Sequence, residues 1–384
     1  MADGYMSDEE EITTIASPPV VDKYKSAATV ANAALAHVAS LCQPGASVVA
    51  ICQAGDEFIA NETTKVFSKK KFLRGVAFPT CISVNNTACN FSPLAGDDVI
   101  IAEGDVVKID LGAHFDGYAS QVGHTIVATA NPQEPIVGKK ADVICAAHFA
   151  GECALRLCRP GNKASDVTKA IKDVSEVFQC NPIAGFHSFQ VGRYEVEGEK
   201  SIPNAVDEDD KKTEDFTFEE NEVYVIDILM STGEGTVKPG ETKTTVYRKT
   251  DQMYQLKLNA SRYVIGEVNK RFNKFPFTLR ALDPKKGRLG IVECLKNNLV
   301  EDYPVVYERE GEIVAQFKFT VLLLPNSIQK LNAYNLPYVQ SQYNITDPAL
   351  TSILSMSLKR TSNAKKKKKN KKKQAAAESM DTTA

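Results

Sequence analysis

Eight of the nine residues from 365 to 373 are lysines: Lys365, Lys366, Lys367, Lys368, Lys369, Lys371, Lys372 and Lys373. Each lysine set against a phosphate frees condensed cations, so such a run predicts strong, salt-sensitive, sequence-blind affinity for nucleic acid. No aromatic residue interrupts it, so base stacking is not indicated there. The same run would serve as a nuclear-import signal. A functionless solvated tail is the plainer reading of the same residues. A second cluster, Lys69, Lys70 and Lys71 with Arg74, either extends a basic surface or is an ordinary exposed loop. Nine cysteines are scattered singly with no C-x-x-C pair, which reads as buried free thiols in a reducing compartment. The run Ser231-Thr232-Gly233-Glu234-Gly235 follows a strand-like segment but lacks a lysine, so it reads as a turn rather than a P-loop. His114 and His124 lie on or beside strands and read as structural, and His187 reads as a loop residue beside Phe186 and Phe189.

The elements that would carry these residues come in two sets. Tyr24–Cys42 and Ser47–Phe67 read as helices, and strand-like segments follow at Val76–Val84, Val106–Leu111 and Thr125–Thr129. A helix over Ala147–Cys158 and another through Phe178 precede strands at Tyr224–Met230, Thr244–Arg248 and Phe317–Leu324. Leu41-Cys42-x-Pro44-Gly45 returns 116 residues on as Leu157-Cys158-x-Pro160-Gly161, which suggests two related halves, each a helix pair packed on a sheet. Further helices are read over Tyr254–Phe272, Lys285–Asn298 and Asp347–Leu358. The mixture reads as α+β. Three regions are expected: a disordered acidic leader over 1–18, one domain over 19–335, and a flexible lysine-rich tail over 336–384. The acidic stretch 203–222 reads as a surface loop.

With 43% apolar residues in 384, a sizeable core is available. No apolar run reaches the roughly 18 residues of a membrane span. The acidic start, Met1 to Glu11, argues against a secretory or mitochondrial presequence. The net charge of −2 is unevenly spread: ten basic and two acidic residues from Lys359 onward make that end +8 and leave −10 elsewhere.

Four segments in order resemble the methionine aminopeptidase family of the pita-bread fold, in the type with an insertion in its second half. They are Ala77–Asn86, Lys108–Gln121, Val223–Gly235 and Val314–Pro325. The resemblance covers roughly residues 12–335 and implies two pseudo-symmetric halves. Active members hold two divalent metals on two Asp, one His and two Glu, which activate a bridging water and polarise the scissile carbonyl. Carried over, those ligands fall on Asp110, Gln121, Asp227 and Lys318, with His187 near the His position but in a departing context, and the substrate-orienting His falls on Asn90. Asp110 and Asp227 with Lys318 total −1 where four carboxylates would total −4. A divalent ion about 4 Å from an ammonium is repelled by roughly 8 kcal/mol at an effective dielectric near 20. The expectation is therefore a vestigial site with no metal and no cofactor, in which Lys318 bridges Asp110 and Asp227.

Phe275–Leu282, Val292–Leu299 and the lysine run bring the chain closer to one group, the proliferation-associated, curved DNA-binding proteins, non-peptidase homologues of the aminopeptidases. That resemblance implies RNA, ribosome or pre-ribosomal partners, with DNA in some members, and a role in ribosome biogenesis, translation or growth regulation. The chain is expected in cytoplasm and nucleus, the nucleolus included, and not on membranes. Two alternatives remain: a DNA-binding transcriptional regulator, and a metalloaminopeptidase with an altered site.

Overall fold

The computed structural model describes residues 13–206 and 215–359. The lysine run and the middle of the acidic stretch lie outside them. Nine strands build the main sheet: β1 (Arg74–Val84), β2 (Val106–Phe115), β3 (Tyr118–Val127), β4 (Asn181–Pro182), β5 (His187–Gln190), β6 (Ser201–Pro203), β7 (Val223–Ser231), β8 (Val314–Leu324) and β9 (Ser327–Lys330). Their order is β1-β2-β3-β8-β7-β5-β6, with β9 on β8 and β4 on β7, and every pairing is antiparallel. The two halves meet where β3 and β8 pair, at Gly123 and Lys318.

Four helices back the sheet. Helices α1 (Pro18–Leu41) and α2 (Val48–Lys65) serve the first half, α3 (Lys139–Leu157) and α4 (Ala164–Val177) the second. Small residues let the first helix of each pair lie close to the strands: Ala27, Ala31 and Ala34 on α1, and Ala147, Ala150 and Ala154 on α3, are fully buried. Helix α1 begins earlier than its periodicity suggests because Pro18 and Pro19 occupy its first positions, where a missing N–H costs nothing. Ile15, just before it, is buried, so the end of the expected leader already touches the core.

The repeated Leu-Cys-x-Pro-Gly segment has the same conformation twice. Gly45 and Gly161 take φ of 89° and 96°, which the left-handed region reserves for glycine. Gly45 N donates to Ile101 O at 2.7 Å, and Gly161 N to Phe218 O at 2.9 Å. Asp98 then accepts from Ser47 Oγ and Val49 N, just as Asp215 accepts from Ser165 Oγ and Ser165 N. The internal repeat is thus a repeat of hydrogen bonds as well as letters.

Between β7 and β8 the chain makes a smaller module. A short strand (Val246–Lys249) leads into α5 (Asn259–Arg271) and α6 (Pro284–Lys296), around a separate core of Val264, Phe272, Phe277, Ile291 and Cys294. Residues 254–258, expected as the start of α5, are instead an irregular segment that precedes the helix.

The expected flexible tail from 336 differs from what the structure shows up to Lys359. Leu336, Val339, Tyr343, Ile353 and Leu358 pack on the second-half core, and α7 (Pro348–Leu354) rests on α3 and α4. The helix was expected over Asp347–Leu358, but the docking of residues 336–347 escapes sequence reading because single apolar residues hold that stretch, with no helical or strand period. Eight cysteines are buried and Cys145 is partly exposed, all as free thiols.

Candidate functional site

Asp110 on β2, Gly123 on β3, Lys318 on β8 and Asp227 on β7 face one another in register across the four central strands. Residues directly opposite in antiparallel pairs share a face, so the row places two acids and a lysine on one side of the sheet. Gly123 contributes no side chain between Asp110 and Lys318. A Cβ there would lie 2.8 Å from Lys318 Cβ. The gap lets the Lys318 side chain reach over β3: its Nζ lies 2.5 Å from Asp110 Oδ2 and 2.9 Å from Asp227 Oδ2. The ammonium also sits 5.0 Å from the Phe78 ring centre, a cation–π contact.

Lys318 is 8% exposed and Asp110 5%. Burial alone would depress the lysine pKa, but the two carboxylates outweigh it and hold the group well above the ordinary range. Burial pushes the Asp110 carboxyl up to about 6, against the pull of Lys318 and with the push of Asp227. One positive charge serves two acids, so it does not cancel the cost of burial, and the group is left at −1. Gln316, two residues before Lys318 and on the same face, donates to Asp227 Oδ1 at 2.8 Å. Ser188 Oγ accepts from the Asp227 backbone at 2.9 Å. Oδ1 of Asp110 has no hydrogen-bond partner among the described residues.

Asn90, Asp110, Gln121, His187, Asp227 and Lys318 all line a single cavity of about 270 Å³ on that face. Asn90, at φ 63°, donates to Pro304 O at 3.1 Å, which ties it to the segment returning from the inserted module. His187, expected in a loop, instead opens strand β5 and lines the cavity with its ring 5.7 Å from that of Phe189. Glu197, Tyr303 and Pro276 are among the other wall residues and were not singled out from sequence. Gln316 was also missed, although its two-residue spacing from Lys318 on one strand was a usable signal.

This donor set does not fit a dinuclear metal centre. The position between the two aspartates already holds an ammonium, an amide stands at 121, and the group carries −1 rather than −4. Among the described residues no cluster of three or more His, Cys, Asp and Glu is placed to hold a metal.

The second basic cluster divides. Lys69, Lys70 and Lys71 are exposed, but Arg74 is committed to its own loop. It donates to Val66 O at 2.6 Å and to Lys70 O, and lies 4.7 Å over the Phe72 ring. Arg74 therefore clasps the turn between α2 and β1 and corrects the reading of it as a surface cation. The run from Lys365 to Lys373 lies outside the described residues.

Antiparallel halves with a paired helix layer, joined at a central seam above an acidic row, define a pita-bread scaffold. The chain belongs to metallopeptidase family M24, whose model matches residues 22–254. It is 46% identical to ERBB-3 binding protein 1 of Arabidopsis thaliana over 92% of this chain and 90% of the relative. It is 38% identical to the curved DNA-binding protein of Schizosaccharomyces pombe over 92% of this chain and 94% of that one. Among solved structures, a thermophilic Arx1 superposes with a TM-score of 0.84 at 30% identity, over 90% of this chain and all of that one.

Proposed function

We propose that this chain is a non-hydrolytic member of its family that binds structured RNA and ribosomes or pre-ribosomal particles, in ribosome biogenesis, translation or growth regulation. The observation that carries the non-hydrolytic part is the Lys318 ammonium held between Asp110 and Asp227. Hydrolysis in this scaffold uses metal ions on those carboxylates, and a tethered cation has taken their place. The lysine run supports a polyanionic partner through counterion release. Cytoplasm and nucleus, with the nucleolus, are the proposed locations, in keeping with free thiols and a basic run of import type.

A second reading, a DNA-binding regulator, is favoured by the similarity to the fission-yeast curved DNA-binding protein. Binding measured across a salt series separates the two. The full chain is titrated with a structured ribosomal RNA fragment, a duplex DNA of equal phosphate count, and isolated large ribosomal subunits, beside a chain ending at Lys359. Retention of RNA and subunits at about 150 mM salt after DNA is lost supports the first reading. Equal or tighter DNA binding at that salt replaces it with the second. Stoichiometric divalent metal and release of N-terminal residues from peptides would overturn both in favour of an altered aminopeptidase.

A further inference from the structure

The inserted module differs from the rest of the molecule in charge and in what it leaves exposed. Residues 246–303 contain twelve lysines and arginines against six aspartates and glutamates, in a body that is otherwise acidic. Two of those acids are occupied within the backbone. Asp283 accepts from Lys285 N and Lys286 N and caps α6. Glu293 accepts from Lys257 N and Leu258 N at the start of α5. Among the described residues Lys270, Arg288 and Lys296 form no ion pair with a carboxylate, and Lys257, Lys285 and Lys286 lie near Glu293 and Asp283, whose carboxyls are already engaged by backbone N–H groups.

Between these cations lies apolar surface. On α6, Leu289 and Val292 are 65% and 63% exposed and share an outward stripe with Lys285 and Lys296, at helical spacing. Glu293 ties Leu258, 52% exposed, to the same helix. The segment before it exposes Met253 at 95% and borders an apolar groove of about 530 Å³ with Tyr254, Leu256, Ile265 and Leu299. Isolated exposed apolar side chains are ordinary; several together, rimmed by one sign of charge, mark an interaction surface.

We propose that the α5–α6 module docks a protein segment that is both acidic and apolar, such as an amphipathic helix with carboxylates flanking leucine-type anchors. Charge complementarity selects the acidic rim. The exposed leucine, valine and methionine select side-chain anchors, since a phosphate backbone gives them nothing to pack on. Helix-in-groove recognition uses anchors at three- and four-residue spacing, matching the α6 stripe.

The test is fluorescence anisotropy on the full chain with three labelled 16-residue peptides: leucine anchors with glutamates, the same glutamates with serine anchors, and the leucine anchors with lysines. A structured RNA hairpin is the fourth probe. The wild-type chain is compared with Leu289→Ser/Val292→Ser, and separately with Met253→Ser. These side chains are exposed, so melting temperatures should match the parent and report a folded protein. The same chain carries its lysine run in every case, so binding to that run cancels between the two glutamate peptides and between parent and variants, and a chain ending at Lys359 removes it from the comparison with the lysine peptide. We expect the leucine–glutamate peptide to bind at least tenfold more tightly than either control, and the double substitution to weaken it tenfold while leaving the RNA hairpin unchanged. Equal affinity of the leucine and serine peptides, or substitutions that weaken only the RNA hairpin, would overturn the proposal and assign the face to nucleic acid.

Discussion

Replacing Lys318 with methionine keeps the stem and removes the charge. Two buried carboxylates then face each other with Gln316 as their remaining shared donor. Losing one partner of a buried ion pair costs about 3–5 kcal/mol. A domain of roughly 350 residues unfolds with about 0.7 kcal/mol/K of entropy, so a loss near 4 kcal/mol lowers Tm by about 5–6 °C. The sign with pH follows from the acids. Asp110 is already raised to about 6 beside the ammonium, and without it the folded pKa rises further above the unfolded value near 3.9. Ionisation therefore opposes folding increasingly as pH rises, and the deficit is largest near pH 8 and shrinks toward pH 5, where a proton replaces the ammonium. Thermal melts followed by circular dichroism at pH 5, 6.5 and 8 measure it, with Lys318→Met/Asp110→Asn expected to recover most of the loss. A Tm within 1 °C of the parent at pH 8 refutes the buried bridge.

Three more outcomes are expected. Gln121→Asp with Lys318→Glu takes the group from −1 to −4, and calorimetry should then detect manganese or cobalt binding absent from the parent; no binding by the double variant would show that other wall residues also exclude metal. Burial depresses the His114 and His124 pKa values to about 3 and about 4, so the unfolded chain takes up their protons first and stability falls as pH drops below about 6.5. At pH 5 the loss is about 2 kcal/mol for each, and His114→Leu should flatten that acid limb in urea titrations. Gly123→Ala places a methyl against Lys318 at the seam of the halves and should cost about 1–3 kcal/mol by overpacking; an unchanged melting temperature would show that β3 and β8 can separate freely.

The helix pairs were legible because their apolar residues recur at helical spacing, and most long strands because they are runs rich in β-branched and aromatic residues, buried almost throughout. The repeat at 116 residues held more than was taken from it: Asp110 and Asp227 stand 117 apart at corresponding places in the two halves. Strand β3 was read only at its end, Thr125–Thr129, because its buried start, Tyr118–Val122, mixes serine and glutamine with apolar residues and does not alternate. Helix α3 starts eight residues before Ala147, where Lys139 and Lys140 conceal a helix that Gly138 introduces. Arg74 could not be read as a clasp, since its partners are backbone carbonyls, which no pattern of side chains announces. The cavity wall contributed by Tyr303 and Pro276 depends on how the inserted module folds over the sheet, a tertiary fact beyond local periodicity.

A bound metal stabilises a fold only by mass action: its contribution grows with free ion and vanishes with a chelator. The cation between Asp110 and Asp227 is joined to the chain by its own side chain, so it cannot be diluted, exchanged or sequestered. A metal-loaded scaffold of this kind is as stable as its supply of ion permits. Here the seam between the halves keeps its counter-charge at any ionic composition of its surroundings, and swings in metal availability that would loosen a loaded relative leave this molecule's shape, and the surfaces mounted on it, unchanged.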